Sequence, residues 1–293
     1  MKDRIDPLIE ERAPWLFGNS FFAEPAREML NSLLGYHRTV ALAEIFRDMP
    51  VDRIMDELAL LLAKDVKVSG TANIPARGPA LIVANHPTGI ADGIMLWHAL
   101  SQIRPDLFIY ANSDIMRILP QFGDIIAPVE WQPHKRSHSK TRETMAYTRS
   151  AIDAGRLGVI FPSGRLAKRR GLWLFERPWM ASAAMIARKF DLPVIPINIR
   201  ARNSALFYFF DLIHPTLRDI TLFHETLNKG RQPYRITVGA PIRPADLSAK
   251  SEEGILALRK ATLRLGGRHA PKVSLVDVSR RPRWARNLLP EAQ

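Results

Sequence analysis

The chain has 293 residues, 46% hydrophobic and 24% charged, which places it among globular proteins able to bury a sizeable core. It contains no cysteine, which excludes disulfides, thiolate-ligated zinc and a cysteine nucleophile. With 42 Lys and Arg against 29 Asp and Glu, the net charge of +13 points to an anionic partner: nucleic acid, an acidic membrane surface or a phosphorylated substrate.

The N-terminus runs from Met1-Lys2-Asp3-Arg4 to Glu10, Glu11 and Arg12 without an apolar core, so no signal peptide is expected. No spanning helix is expected either. Residues 78–103 hold one obligate charge, Asp92, but Asn85, His86, Pro87, Gly89 and Gly93 break that window into a strand, a turn and a helix start. The simplest placement is cytoplasmic, peripheral to the inner face of a membrane. Trp15, Leu16, Phe17, Phe21 and Phe22 crowd a short segment that either packs on the main domain or inserts at a lipid interface. From about residue 24 to 64 the pattern is helical, with Pro25 and Pro50 near helix starts and a strongly apolar segment at Ile54, Met55, Leu58, Leu60, Leu61 and Leu62. Residues 1–64 thus read as a helical appendage able to associate with a membrane, and 65–293 as the main domain.

From Asp65 the period changes. Strands are expected at 66–69, 80–84, 107–111, 125–129, 158–161, 193–199, 205–210 and 235–238. Helices are expected at 92–102, 139–154, 178–190 and 251–265, with Gly155 placed to end the second. Strands separated by such helices imply crossover connections and an α/β fold: a mixed, largely parallel sheet flanked by helices. Ligands of such sheets gather beyond the carboxyl ends of the strands.

Two strand ends carry chemistry. Leu81-Ile82-Val83-Ala84 delivers Asn85-His86-Pro87-Thr88-Gly89, with Asp92 at the start of the next helix. A carboxylate accepting the imidazole N–H would hold one tautomer while the other nitrogen takes a proton, so that His86 serves as a general base; the plainer role of Asp92 is to cap its helix. Val159-Ile160-Phe161 opens into Pro162-Ser163-Gly164-Arg165, followed by Lys168, Arg169 and Arg170. That second turn suits an anion, or is a plain connection beside a solvated basic face.

Together the two turns resemble the glycerolipid acyltransferase family of the lysophosphatidic acid acyltransferase type, whose members carry an Asn-His…Asp motif and a later Phe-Pro-Glu-Gly-Thr-Arg motif. Val68-Ser69-Gly70, Ile74-Pro75, Gly78-Pro79 and the Pro-flanked run Leu192-Pro193-Val194-Ile195-Pro196-Ile197 agree with it. Three departures stand out. Five residues separate His86 from Asp92 where the commonest pattern has four, as in the branch resembling ornithine-lipid acyltransferases and haemolysin-like homologues. Ser163 stands at the family's Glu and Arg165 at its Thr, and the family's middle arginine motif has no close match, the nearest cations being Lys135 and Arg136.

The resemblance implies that His86, oriented by Asp92, deprotonates a lysolipid hydroxyl that attacks an acyl thioester, with acyl-acyl-carrier protein or acyl-CoA as cosubstrate and no cofactor or metal. It assigns Asn85, Thr88, Pro162, Ser163, Gly164, Arg165, Lys135 and Arg136 to substrate binding, and turn N–H groups near Gly164 to the oxyanion. Its partners are a lipid surface and the acyl donor, with no nucleic acid. Two alternatives remain open at this stage: a homologue that binds lipid without turnover, and a nucleic-acid binder using the basic stretches 134–142, 165–170 and 280–286, although no recognition module is visible there. His134 and His138 have a metal-ligand spacing, but Lys135, Arg136 and Lys140 surround them and no third ligand is evident.

Overall fold

Short runs of β-branched and other apolar residues form most of the strands. A computed structural model describes residues 1–130 and 137–280. Within it the strands are β1 (Val66–Ser69), β2 (Ala80–Ala84), β3 (Leu107–Ala111), β4 (Ile126–Pro128), β5 (Leu157–Ile160), β6 (Lys168–Arg170), β7 (Trp173–Phe175), β8 (Val194–Arg200), β9 (Tyr234–Val238) and β10 (Lys272–Ser274). Seven form one sheet in the order β1-β9-β8-β2-β5-β3-β4. β8, β2, β5, β3 and β4 are mutually parallel, while β9 runs antiparallel to β8 and carries β1 parallel to itself. The expected mixed, largely parallel sheet is therefore present. β10, β7 and β6 make a second, small antiparallel sheet.

Four helices precede β1: α1 (Lys2–Arg12), α2 (Ala23–Leu34), α3 (Tyr36–Ile45) and α4 (Val51–Leu62). Then come α5 (Ile90–Leu100) after β2, α6 (Asp114–Ile118) after β3, α7 (His138–Asp153) before β5, and α8 (Ser182–Lys189) before β8. Between β8 and β9 lie α9 (Ala205–Ile213), α10 (Pro215–Ile220) and α11 (Leu222–Leu227), and α12 (Ser251–Arg264) follows β9. Successive side chains of a strand point to opposite faces, and β2 shows this directly. Ala80, Ile82 and Ala84 join a core with Ile5 and Leu8 of α1, Ile54 and Leu62 of α4, and Met95 and Leu96 of α5. Leu81 and Val83 join the opposite core, with Ala183 and Ala187 of α8 and Leu258 of α12. β2 is thus buried on both sides, as its unbroken apolar run requires.

Two expectations change. Residues 205–210, expected as a strand, form most of α9: the Ser204 hydroxyl accepts the Phe207 N–H and starts a helix, and a run apolar at every position carries no period of two against it. α8 begins at Ser182 rather than near residue 178; α1 lies within the N-terminal stretch expected to be helical. Of the N-terminal aromatic segment, Leu16 is buried and Phe17 packs beside it, whereas Phe21 and Phe22 are 87% and 75% exposed and Trp15 is half exposed. Among the described residues, no helix is long and apolar enough to cross a membrane.

Candidate active site

Neighbouring parallel strands end together. β2 and β5 are paired through Val83 and Ile160, so the turns that follow them meet at one edge of the sheet. The His86 and Phe161 rings stack with centroids 4.3 Å apart. Ala167 N–H donates to His86 O at 2.9 Å, tying the segment after the second turn to the first.

His86 Nδ1 lies 3.0 Å from Asp92 Oδ2, with Asp92 fully buried and the imidazole 19% exposed. The two atoms are close, but Nδ1 has no partner in hydrogen-bond geometry. Hydrogen bonds of this kind are often poorly aligned before substrate tightens a site. Asp92 is held from the other side. Its Oδ2 accepts the N–H groups of Thr88 and Gly89 at 2.9 and 3.0 Å, and its Oδ1 accepts the Thr88 hydroxyl at 2.6 Å. Because that hydroxyl spends its proton on the carboxylate, the Tyr234 O–H donates in turn to Thr88 Oγ1 at 2.5 Å. Burial pushes the Tyr234 phenol well above its ordinary pKa, which keeps it a donor.

The same contacts explain how five intervening residues still bring the acid to the base. Gly89 sits at φ +99°, ψ −136°, a conformation that side chains resist, and the chain reverses there so that Asp92 enters the first turn of α5 facing backwards. The carboxylate that caps the helix is also the one that lies 3.0 Å from the imidazole Nδ1.

The other expected binding residues divide. Asn85 is buried, its amide donating to Ile199 O at 2.8 Å and its carbonyl accepting Ile199 N–H at 2.7 Å, so it extends the β2–β8 ladder by one side chain. Thr88, as above, serves Asp92. Pro162 and Ser163 are buried; Pro162 O accepts Met180 N–H and Ser163 Oγ donates to Arg165 O. Their side chains shape the turn from inside the fold. Gly164, at φ +57°, gives its N–H to Phe161 O at 3.0 Å. That donor closes the turn and leaves any oxyanion role to neighbouring N–H groups. Arg165 is exposed at the rim. Lys135 and Arg136, like His134, lie outside the described residues. Among the described residues, no three His, Asp or Glu side chains gather as metal ligands do.

Glu176 is the residue that the sequence reading missed. It follows β7, is buried, and accepts the His86 backbone N–H at 3.2 Å and the Trp179 indole N–H at 2.9 Å. Burial raises its pKa above the ordinary carboxylate value, opposed by Trp179, His86 and Ser163. One signal was available: Glu176 is the lone acid in a stretch otherwise filled with Arg165, Lys168, Arg169, Arg170 and Arg177. Behind Asp92 lies a buried ion pair, Lys229 Nζ to Glu225 Oε2 at 2.8 Å, with Lys229 also donating to Asn203 Oδ1 at 2.6 Å.

Residues 65–200 match the Acyltransferase family profile. Two curated relatives are lyso-glycine lipid O-acyltransferases: that of Phocaeicola vulgatus is 23% identical over 183 residues, and that of Bacteroides thetaiotaomicron is 21% identical over the same length. Each alignment covers 60% of this chain but only 64 and 65% of the relative, so the chain spans just under two thirds of their lengths. An uncharacterised protein of Mycobacterium tuberculosis is 32% identical over 170 residues, 54% of this chain and 41% of that one. A crystal structure of the 1-acyl-sn-glycerophosphate acyltransferase PlsC from Thermotoga maritima superposes with a TM-score of 0.49 at 16% identity, covering 82% of this chain and 95% of that chain. Residues 65–200, which hold both turns and the strands that carry them, are thus an acyltransferase domain by their match to that family.

Proposed function

We propose that the protein is a lysolipid O-acyltransferase working at a membrane surface, with His86 as general base. The observation that carries the reading is the His86–Asp92 pair, 3.0 Å apart, with the acid pinned by Thr88 and Gly89 and the imidazole partly open to solvent. Asp92 takes the Nδ1–H, which leaves Nε2 to accept the proton of a lipid hydroxyl. The hydroxyl oxygen attacks the thioester carbonyl carbon, the tetrahedral intermediate collapses with cleavage of the C–S bond, and the leaving thiolate recovers the proton from Nε2. No covalent acyl-enzyme forms.

The acceptor is a lysolipid, and lyso-amino-acid lipids come first because two relatives are named lyso-glycine lipid O-acyltransferases. Phe21 and Phe22, together with Phe209, Leu212 and Ile213 of α9, are exposed apolar side chains on elements that share one buried cluster. Such a surface suits insertion at a lipid boundary, and the excess of cations suits anionic headgroups. The test is transfer of labelled acyl groups from acyl-CoA and acyl-acyl-carrier protein to lyso-glycine lipid, lyso-ornithine lipid and lysophosphatidic acid. Acylated product with at least one pair is expected. A folded protein that binds liposomes and yields no product with any pair would support the lipid-binding, non-catalytic reading instead.

A further inference from the structure

The small sheet beside the candidate base carries cations that the dyad does not use. β6 and β7 both begin or end at His86: Ala167, which gives its N–H to His86 O, precedes Lys168, and Glu176, which accepts His86 N–H, follows Phe175. Strand register sets Lys168, Phe175 and Lys272 in one row and Arg170, Trp173 and Ser274 in the next. Alternation puts both rows on one face. Lys272 Nζ lies 4.7 Å from the Trp173 ring centroid, and the Arg170 guanidinium lies 5.5 Å from that of Phe175. Lys168, Arg170 and Lys272 are exposed, and among the described residues none of the three is paired with a carboxylate.

The opposite face of the sheet carries Arg169, Leu174 and Val273 in one row, with the Arg169 guanidinium 5.5 Å from the Tyr208 ring centroid. Leu174 and Val273 pack there against Phe207 and Tyr208 of α9. That helix leaves Phe209, Leu212 and Ile213 exposed on its far side, so the basic face and the apolar helix surface lie on opposite sides of one layer. A basic surface turned away from the lipid-facing side, yet starting at the reacting histidine, is open to a soluble partner. Strands about 5 Å apart set the Lys168 and Lys272 backbones about 10 Å from each other, so that with Arg170 three cations are spread over one face, an arrangement complementary to carboxylates spread over a protein surface.

We propose that the outer face of this sheet docks an acidic acyl-carrier protein and so presents its acyl thioester to His86. The proposal rests on the transferase reading but is tested by binding, which needs no turnover. Fluorescence anisotropy with labelled holo-acyl-carrier protein at low salt compares the wild type with the triple variant Lys168→Glu, Arg170→Glu, Lys272→Glu, its folding checked by circular dichroism. The wild type is expected to bind with an affinity that falls as salt rises, and the variant about tenfold or more weaker, with liposome binding unchanged. Absence of carrier binding by the wild type, or equal binding by a folded variant, would overturn it. Loss of liposome binding with carrier binding intact would also overturn it, by assigning the face to lipid. Carrier binding as expected without product from any donor would leave the surface standing and sink the transferase reading.

Discussion

At the scale of single residues, the site depends on a glycine that the sequence displays but does not explain. Asp92 reaches His86 because Gly89 reverses the chain at φ +99° and lets two consecutive N–H groups converge on one carboxylate oxygen. A Cβ there would be strained by the backbone and would meet Leu166 Cδ2 at 3.2 Å. Gly89→Ala is therefore expected to cost roughly 1–3 kcal/mol of stability. It should also lower turnover, because the acid loses its seat. Urea denaturation and an acyl-transfer assay check this, and a variant as stable and active as the wild type would contradict the account. His86, Asp92 and the second turn were legible from residue type and position after an apolar run. The inward tasks of Asn85 and Thr88 were not, because they depend on Ile199 and Tyr234, more than a hundred residues away in the chain.

At the scale of elements, the central strands were legible because parallel strands buried on both faces must read as unbroken apolar runs. β6, β7 and β10 were not: they are short, and β6 is Lys-Arg-Arg, which local pattern reads as a solvated loop. α9 was misread for want of a period, with its Ser204 cap as the overlooked signal. The segment from α9 through α11 to the turn at Lys229–Arg231 also places Lys229 and Glu225 behind the dyad. Glu225 would be raised by burial, but Lys229 and Ser204 hold its carboxyl below the ordinary range; burial lowers the Lys229 pKa while Glu225 opposes it. Lys229→Met would strand a buried carboxylate and is expected to cost about 3–5 kcal/mol, whereas Lys229→Met with Glu225→Leu should recover most of that loss. Thermal denaturation of the wild type and both variants decides it. A single variant as stable as the double one would show that the pair is not what secures this segment.

At the scale of the whole molecule, the features of the proposed reaction lie on different layers: the parallel strands β2 and β5 end at His86, exposed aromatics lie on the N-terminal segment and α9, and the cations of the small sheet lie on the face opposite the one packed against α9. The net charge of +13 pointed to an anionic partner without choosing one, because charge sign carries no information about where the cations lie. The fold supplies that placement. The central claim is that His86 removes the hydroxyl proton, and the most direct measurement is the rate of acyl transfer by His86→Ala against the wild type on the best donor and acceptor pair, with folding and liposome binding verified for both. The account predicts a loss of at least about 100-fold with both controls unchanged. A His86→Ala protein that transfers acyl groups at the wild-type rate would contradict it.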